Sequence, residues 1–141
     1  MSDGSTRLGV AEAQAVIDGI LAPWLRELAI RIEEVRDDGL VARMPWGKAI
    51  ARQDGIVPGQ AIMAFVDSAM VAAIAARLGG FRPMATVDMA TTFLAPAREC
   101  DVVCDIAFLR VGRRLVFASV DVRTDAGTLV ARVTTTWTLP G

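Results

Sequence analysis

The chain has 141 residues, 53% of them hydrophobic and 22% charged, with a formal net charge of -1 and no histidine. That length suits one domain, and the apolar content is enough for a packed core rather than a disordered chain. The scattered basic residues argue against a nucleic-acid partner, which needs a clustered basic excess. The missing histidine excludes Ser-His-Asp and Cys-His nucleophiles and histidine metal sites. Acid–base chemistry is left to carboxylates, Lys, Cys or backbone dipoles, with no metal or cofactor expected. Cys100 and Cys104, four positions apart, read as reduced structural thiols of a cytoplasmic protein.

In chain order, the stretch from Met1 to Val10 is polar and has no apolar core, so no signal peptide is expected. Val10–Leu21 has helical spacing, with Val10, Ala13, Ile17 and Leu21 on one stripe, and Pro23 ends or bends it. Ile30–Val35 and Leu40–Met44 read as strands joined by a turn at Asp37–Gly39. A polar, glycine-containing loop, Pro45–Val57, leads to a long helix from Pro58 or Gly59 to Leu78, stopped by Gly79-Gly80.

This helix is apolar on every side, so the rest of the fold must enclose it. Its most apolar stretch, Ala61–Ala76, is interrupted by Asp67 and Ser68 and falls short of the roughly 20 residues that cross a bilayer. It therefore reads as a buried helix, with no membrane partner. Four strand-like runs follow, Met84–Leu94, Val102–Arg110, Leu115–Thr124 and Leu129–Leu139, with hairpin turns at Gly112-Arg113 and Asp125–Gly127. The simplest arrangement is a single α+β domain over residues 1–141, an antiparallel β-sheet wrapped around a long central α-helix. This is the hotdog fold.

Asp67 is the only ionisable residue between Gln60 and Ala76. An unpaired buried carboxylate is costly, so Asp67 is a candidate general base or nucleophile, or else a structural carboxylate bonded to backbone groups at an interface. Gly59 stands at the helix start, where N–H groups lack internal acceptors and the dipole is positive, a plausible oxyanion hole. The two lie eight residues, roughly 12 Å, apart along one helix and cannot both touch one carbonyl group. Two antiparallel copies of the helix would bring Gly59 of one near Asp67 of the other, which implies a homo-oligomer, either a dimer or a dimer of dimers. Arg113 and Arg114, at a turn, could bind phosphate groups by charge-assisted hydrogen bonds, with Arg98 a weaker candidate.

The run Gly55-Ile-Val-Pro-Gly-Gln-Ala-Ile-Met-Ala-Phe-Val-Asp67-Ser-Ala-Met resembles the motif region of phenylacetate-degradation type hotdog thioesterases, G-V-x-H-G-G followed seven residues later by the catalytic Asp. Thr86-Val-Asp-Met-Ala-Thr-Thr-Phe-Leu-Ala-Pro96 resembles their next strand, and Val111–Phe117 and Gly127–Trp137 are also similar. The resemblance runs from about Trp24 to Leu139. It implies hydrolysis of an acyl-CoA to free acid and CoA. Asp67 would be the base or nucleophile, Gly59 would give its N–H to the thioester oxygen, Thr86 would hold the attacking water, and the site would be shared between two subunits. The chain departs from that pattern at three places. Pro58 replaces the histidine, Gln60 the second glycine, and Arg52-Gln53 stands where an upstream asparagine is usual. Gln60 shares a helix face with Asp67 and could supply a replacement donor.

Two other readings compete. A non-catalytic hotdog module that binds acyl-CoA as a sensor or store is favoured by the lost histidine and asparagine and disfavoured by Asp67 and Thr86. A hotdog hydratase or dehydratase generally relies on a catalytic histidine, which this chain lacks. Several methionines and few aromatics suggest an adaptable apolar pocket.

Overall fold

The structure is a computed structural model and describes residues 7–141. The polar start read above therefore lies, up to residue 6, outside the described residues. The elements in order are α1 (Val10–Ile20), α2 (Pro23–Arg26), β1 (Arg31–Arg36), β2 (Gly39–Met44), α3 (Gly59–Leu78), β3 (Ala85–Phe93), β4 (Val102–Val111), β5 (Leu115–Thr124) and β6 (Leu129–Thr138). The six strands form one antiparallel sheet in the order β1-β2-β4-β5-β6-β3. The long helix α3 lies across one face, which makes this a hotdog fold.

Strict alternation decides which face of the sheet meets the helix. In β5, Val116, Ala118, Val120 and Val122 are buried; in β4, Val102, Cys104 and Ile106; in β6, Ala131, Val133, Thr135 and Trp137. Twelve of the residues of α3 are buried, six of them alanines, which let the sheet approach its axis closely. Burial also pushes the Cys104 thiol up to about 12, so this thiol is an inert core group, and both cysteines are free.

α1 packs on α3 and β1. Gln14 pins it there, donating to the Ile30 carbonyl at 3.0 Å and accepting from the Ile32 N–H at 2.8 Å. α3 ends as the glycines require: Gly79 sits at φ 84, and the N–H groups of Gly79 and Gly80 bond back to Ala76 and Ala75 carbonyls.

Four features differ from the reading of the sequence. Pro23 opens the short helix α2 rather than merely ending α1. The turn between β1 and β2 is Asp37-Asp38 alone, and Gly39 is already a strand residue paired with Ala107. α3, at 20 residues, is long and apolar enough to cross a membrane by length and composition, yet 67% of its most apolar window is buried inside the fold. It is also not wholly enclosed. Gln60 and Met63 are exposed, and Ala64, Asp67 and Val71 are half-buried, leaving one open stripe along the helix.

Gly39 is glycine because β4 crosses where its side chain would stand: a Cβ there would lie 1.8 Å from the Ile106 carbonyl oxygen. Gly39→Ala should therefore force β2 away from β4 and lower stability by about 3 kcal/mol or more, the upper end of overpacking costs. Denaturant melting of the variant checks this.

Candidate functional site

The loop between β2 and α3 is fixed by hydrogen bonds, and these set where α3 begins. The Trp46 N–H donates to Asp101 Oδ1 at 2.7 Å and its Nε1–H to the Gly55 carbonyl at 3.0 Å. That carbonyl also accepts the Glu99 N–H at 2.9 Å. Gly55 is at φ 84, and a Cβ there would meet Glu99 Cγ at 2.9 Å, so glycine is required twice over. Arg43 ties the base of the loop to Glu33 at 2.6 Å, to Asp101 at 3.1 Å and to Asp125. The Val57 N–H bonds the Ala97 carbonyl at 2.9 Å, delivering the chain to Pro58.

Pro58 is the N-cap of α3, extended at φ -72 and ψ 156, and its carbonyl accepts the Ala61 and Ile62 N–H groups. The N–H groups of Gly59 and Gln60 then have no acceptor among the described residues. Two backbone donors at the positive end of a 20-residue helix are thus free to bind an oxygen.

Asp67 sits on the open stripe two turns further along. The Thr86 hydroxyl donates to Asp67 Oδ1 at 2.7 Å. β3 reaches it through a bulge between Thr86 and Asp88, beyond which Met89, Thr91 and Phe93 lie opposite the core residues Thr135, Val133 and Ala131 of β6. The inner face of β3 therefore runs antiparallel to α3, from Thr86 at Asp67 to Phe93 at Gly59. The tip of the Phe93 ring lies 2.9 Å from where a Gly59 Cβ would be. Between these two ends, Thr91 Oγ1 is buried without a hydrogen-bond partner.

The structure thus joins Asp67 to Thr86 within one chain, while Gly59 remains a separate feature at the start of the same helix. Gln60 is exposed beside Gly59. Arg52 does not join either group. It pairs with Asp54 at 2.7 Å and lines a loop cleft of about 440 Å³ with Trp46, Lys48 and Glu99. Arg98 is likewise occupied, donating to the Asp54 carbonyl.

Arg113 and Arg114 line an open cleft of about 290 Å³ together with Arg82, which reading the sequence missed. None of the three makes an ion pair among the described residues. This cationic cleft adjoins the end of the sheet where β3 starts, since Leu115 pairs with Thr138 and Thr138 with Ala85, one residue before Thr86. Arg82 was hidden because it lies over thirty positions from its neighbours. Phe93 was visible as a motif aromatic, but its contact with Gly59 was not.

Residues 54–131 match the family model of the thioesterase superfamily. Among solved structures, a thioesterase from Haemophilus influenzae superposes with a TM-score of 0.79 at 19% identity, covering 89% of this chain and 88% of that one. Mouse thioesterase superfamily member 2 superposes at 0.80 with 24% identity, over 93% and 97% of the two chains. A hypothetical thioesterase from Streptococcus pneumoniae, solved with coenzyme A, gives 0.70 at 18% identity over 79% and 86%. At these identities the likeness is one of fold. No curated protein matches the chain by sequence.

The contact between Phe93 and Gly59 makes a stability prediction. The ring is half exposed and meets the added methyl with its tip, and alanine is the better helix former by up to about 1 kcal/mol. Gly59→Ala should fold with a stability within about 1 kcal/mol of the parent. A large loss on thermal melting would mean the ring is held rigidly over the helix start.

Proposed function

Because the chain belongs to the thioesterase superfamily, we propose that it hydrolyses an acyl-CoA thioester to a free acid and CoA, in the manner of the phenylacetate-degradation type enzymes that its motif resembles. The observation that carries this reading is the 2.7 Å hydrogen bond from Thr86 to Asp67 on the one open stripe of α3. A carboxylate in that position can take a proton from water, or attack the carbonyl carbon itself, while the Thr86 hydroxyl positions the water. The free N–H groups of Gly59 and Gln60 would bind the oxygen as negative charge develops on it. Arg113, Arg114 and Arg82, which make no ion pair among the described residues, would supply positive charge for the CoA phosphates.

The same proposal makes the active unit a homodimer. Asp67 and Gly59 stand eight residues, roughly 12 Å, apart on α3, so the donors for one thioester and its carboxylate would come from two copies. β3 supports this as well. It is an edge strand with one unpaired side, and Val87, Phe93 and Leu94 are exposed along it, an arrangement that invites pairing with another chain.

A second reading, binding without turnover, is favoured by one observation. The Phe93 ring stands over Gly59, where a carbonyl oxygen would approach, and Pro58 and Gln60 replace the family's histidine and second glycine.

Two measurements test the proposal. Asp67→Asn is nearly isosteric and should keep the fold, while hydrolysis of a panel of acyl-CoAs falls by about two to four orders of magnitude. Unchanged turnover in the folded variant would remove Asp67 from the mechanism and favour the binding module. In sedimentation analysis the parent should run as a dimer or larger, and an active monomer would overturn the shared site.

A further inference from the structure

Tryptophan placement singles out one cavity. Trp137 is buried and its Nε1–H bonds Thr135 Oγ1 at 3.1 Å, and Trp46 holds the Gly55 carbonyl. Trp24 does neither: it is 60% exposed and its indole N–H has no partner among the described residues. An exposed aromatic becomes informative when it walls an apolar cleft, where its face can take up a ligand's apolar group.

Trp24 belongs to α2, which packs against α3, and it forms one wall of a cleft of about 290 Å³. The other walls include Leu28, Ile50, Pro58 and Ala61, with Gln60 and Glu27 as the polar groups. Pro58 and Gln60 flank Gly59 in the chain, so the cleft opens beside the free N–H donors of the first turn of α3. A carbonyl oxygen seated on those donors would have this cleft as its neighbouring apolar cavity. The volume lies at the bottom of the usual range for ligand pockets, which suits a small group rather than a long chain. Glu27 makes no ion pair among the described residues, so it presents an uncompensated negative charge to whatever enters.

We propose that the cleft between α2 and the first turn of α3 is the acyl-group subsite, that it takes a short neutral apolar acyl group against Trp24, and that Glu27 excludes acyl groups bearing a second carboxylate. This rests on the thioesterase reading for its carbonyl seat. The selection follows from two physical terms. Apolar contact with the indole favours a hexanoyl over an acetyl group, and like-charge repulsion at Glu27 disfavours a succinyl group.

The test uses non-hydrolysable ketone analogues of acetyl-, hexanoyl- and succinyl-CoA, titrated calorimetrically into the full chain, alongside turnover of the corresponding thioesters. Trp24 and Glu27 are exposed, so substitutions there should fold. The parent should bind the hexanoyl analogue about 10- to 100-fold more tightly than the acetyl analogue, as partial burial of the additional methylenes supplies. Trp24→Ala should reduce that preference about tenfold. Glu27→Lys should raise affinity for the succinyl analogue about tenfold relative to the acetyl analogue. A hexanoyl preference that survives Trp24→Ala, or a succinyl affinity indifferent to Glu27→Lys, overturns the subsite. If turnover persists in those cases, the thioesterase reading stands without it. Selective binding with no turnover of any thioester would keep the subsite and remove hydrolysis. Binding of no analogue by the parent would remove the subsite and the carbonyl seat together.

Discussion

The requirement to cover α3 governs the rest of the molecule. Twenty consecutive residues carry only Asp67 and Arg77 as charges, and Ile62, Phe65, Val66, Met70 and Ile74 are all buried. Each such side chain contributes about 1.5–3 kcal/mol when removed from water, far more than any surface contact in the fold. A flat sheet touches a helix along one line, so covering most of its circumference needs a sheet that curls, with α1 closing a further side. Six antiparallel strands do this with their inner residues, and the alanines of α3 allow close approach without voids. What a single chain cannot cover is the stripe Gln60, Met63, Ala64, Asp67 and Val71, and the polar site lies there.

That placement reconciles a carboxylate with an apolar helix. Asp67 at the fully covered positions of α3 would need several partners inside the core, whereas on the stripe one hydroxyl from the adjacent edge strand reaches it. The bulge in β3 belongs to the same solution. It breaks strict alternation at Val87, so that Thr86 meets α3 while the following residues resume the inward pattern over Thr135, Val133 and Ala131. The edge strand serves the site and at the same time leaves its outer hydrogen-bonding side open.

Elements with strong local signals were legible in the sequence. α3 and the strands after it lie within a residue of the boundaries that their periodicity, glycines and turns imply, because each is long and repeats its pattern many times. The motif resemblance assigned Thr86 and Asp67 to one site without saying whether one chain or two supply them, and within one chain the Thr86 hydroxyl bonds Asp67. Short or non-local features were not legible. α2 has four residues, too few for a helical stripe, and Pro23 reads equally well as a stop or a start. Gly39 looked like the third residue of a turn because Asp-Asp-Gly has turn chemistry, but the approach of β4, nearly seventy positions away, is what requires glycine there. The grouping of Arg82 with Arg113 and Arg114, and the pairing of Arg52 with Asp54, depend likewise on tertiary placement.

The absence of histidine weighs less on the proposed chemistry than it first suggests. A side-chain donor at the start of α3 would add one hydrogen bond to an oxygen, but the backbone already offers two. Proline at position 58 has no N–H of its own, and its extended conformation turns its carbonyl inward to Ala61 and Ile62. That pairing uses the third and fourth amides of the helix and leaves the first two, Gly59 and Gln60, pointing out along the dipole. The cap that removes a side-chain donor therefore fixes the backbone donors in place. Their direction is set by the hydrogen-bonded loop behind them rather than by a rotamer, so they need no reorganisation when charge develops. In the proposed chemistry the remaining constraint would be access, because the tip of the Phe93 ring stands over Gly59.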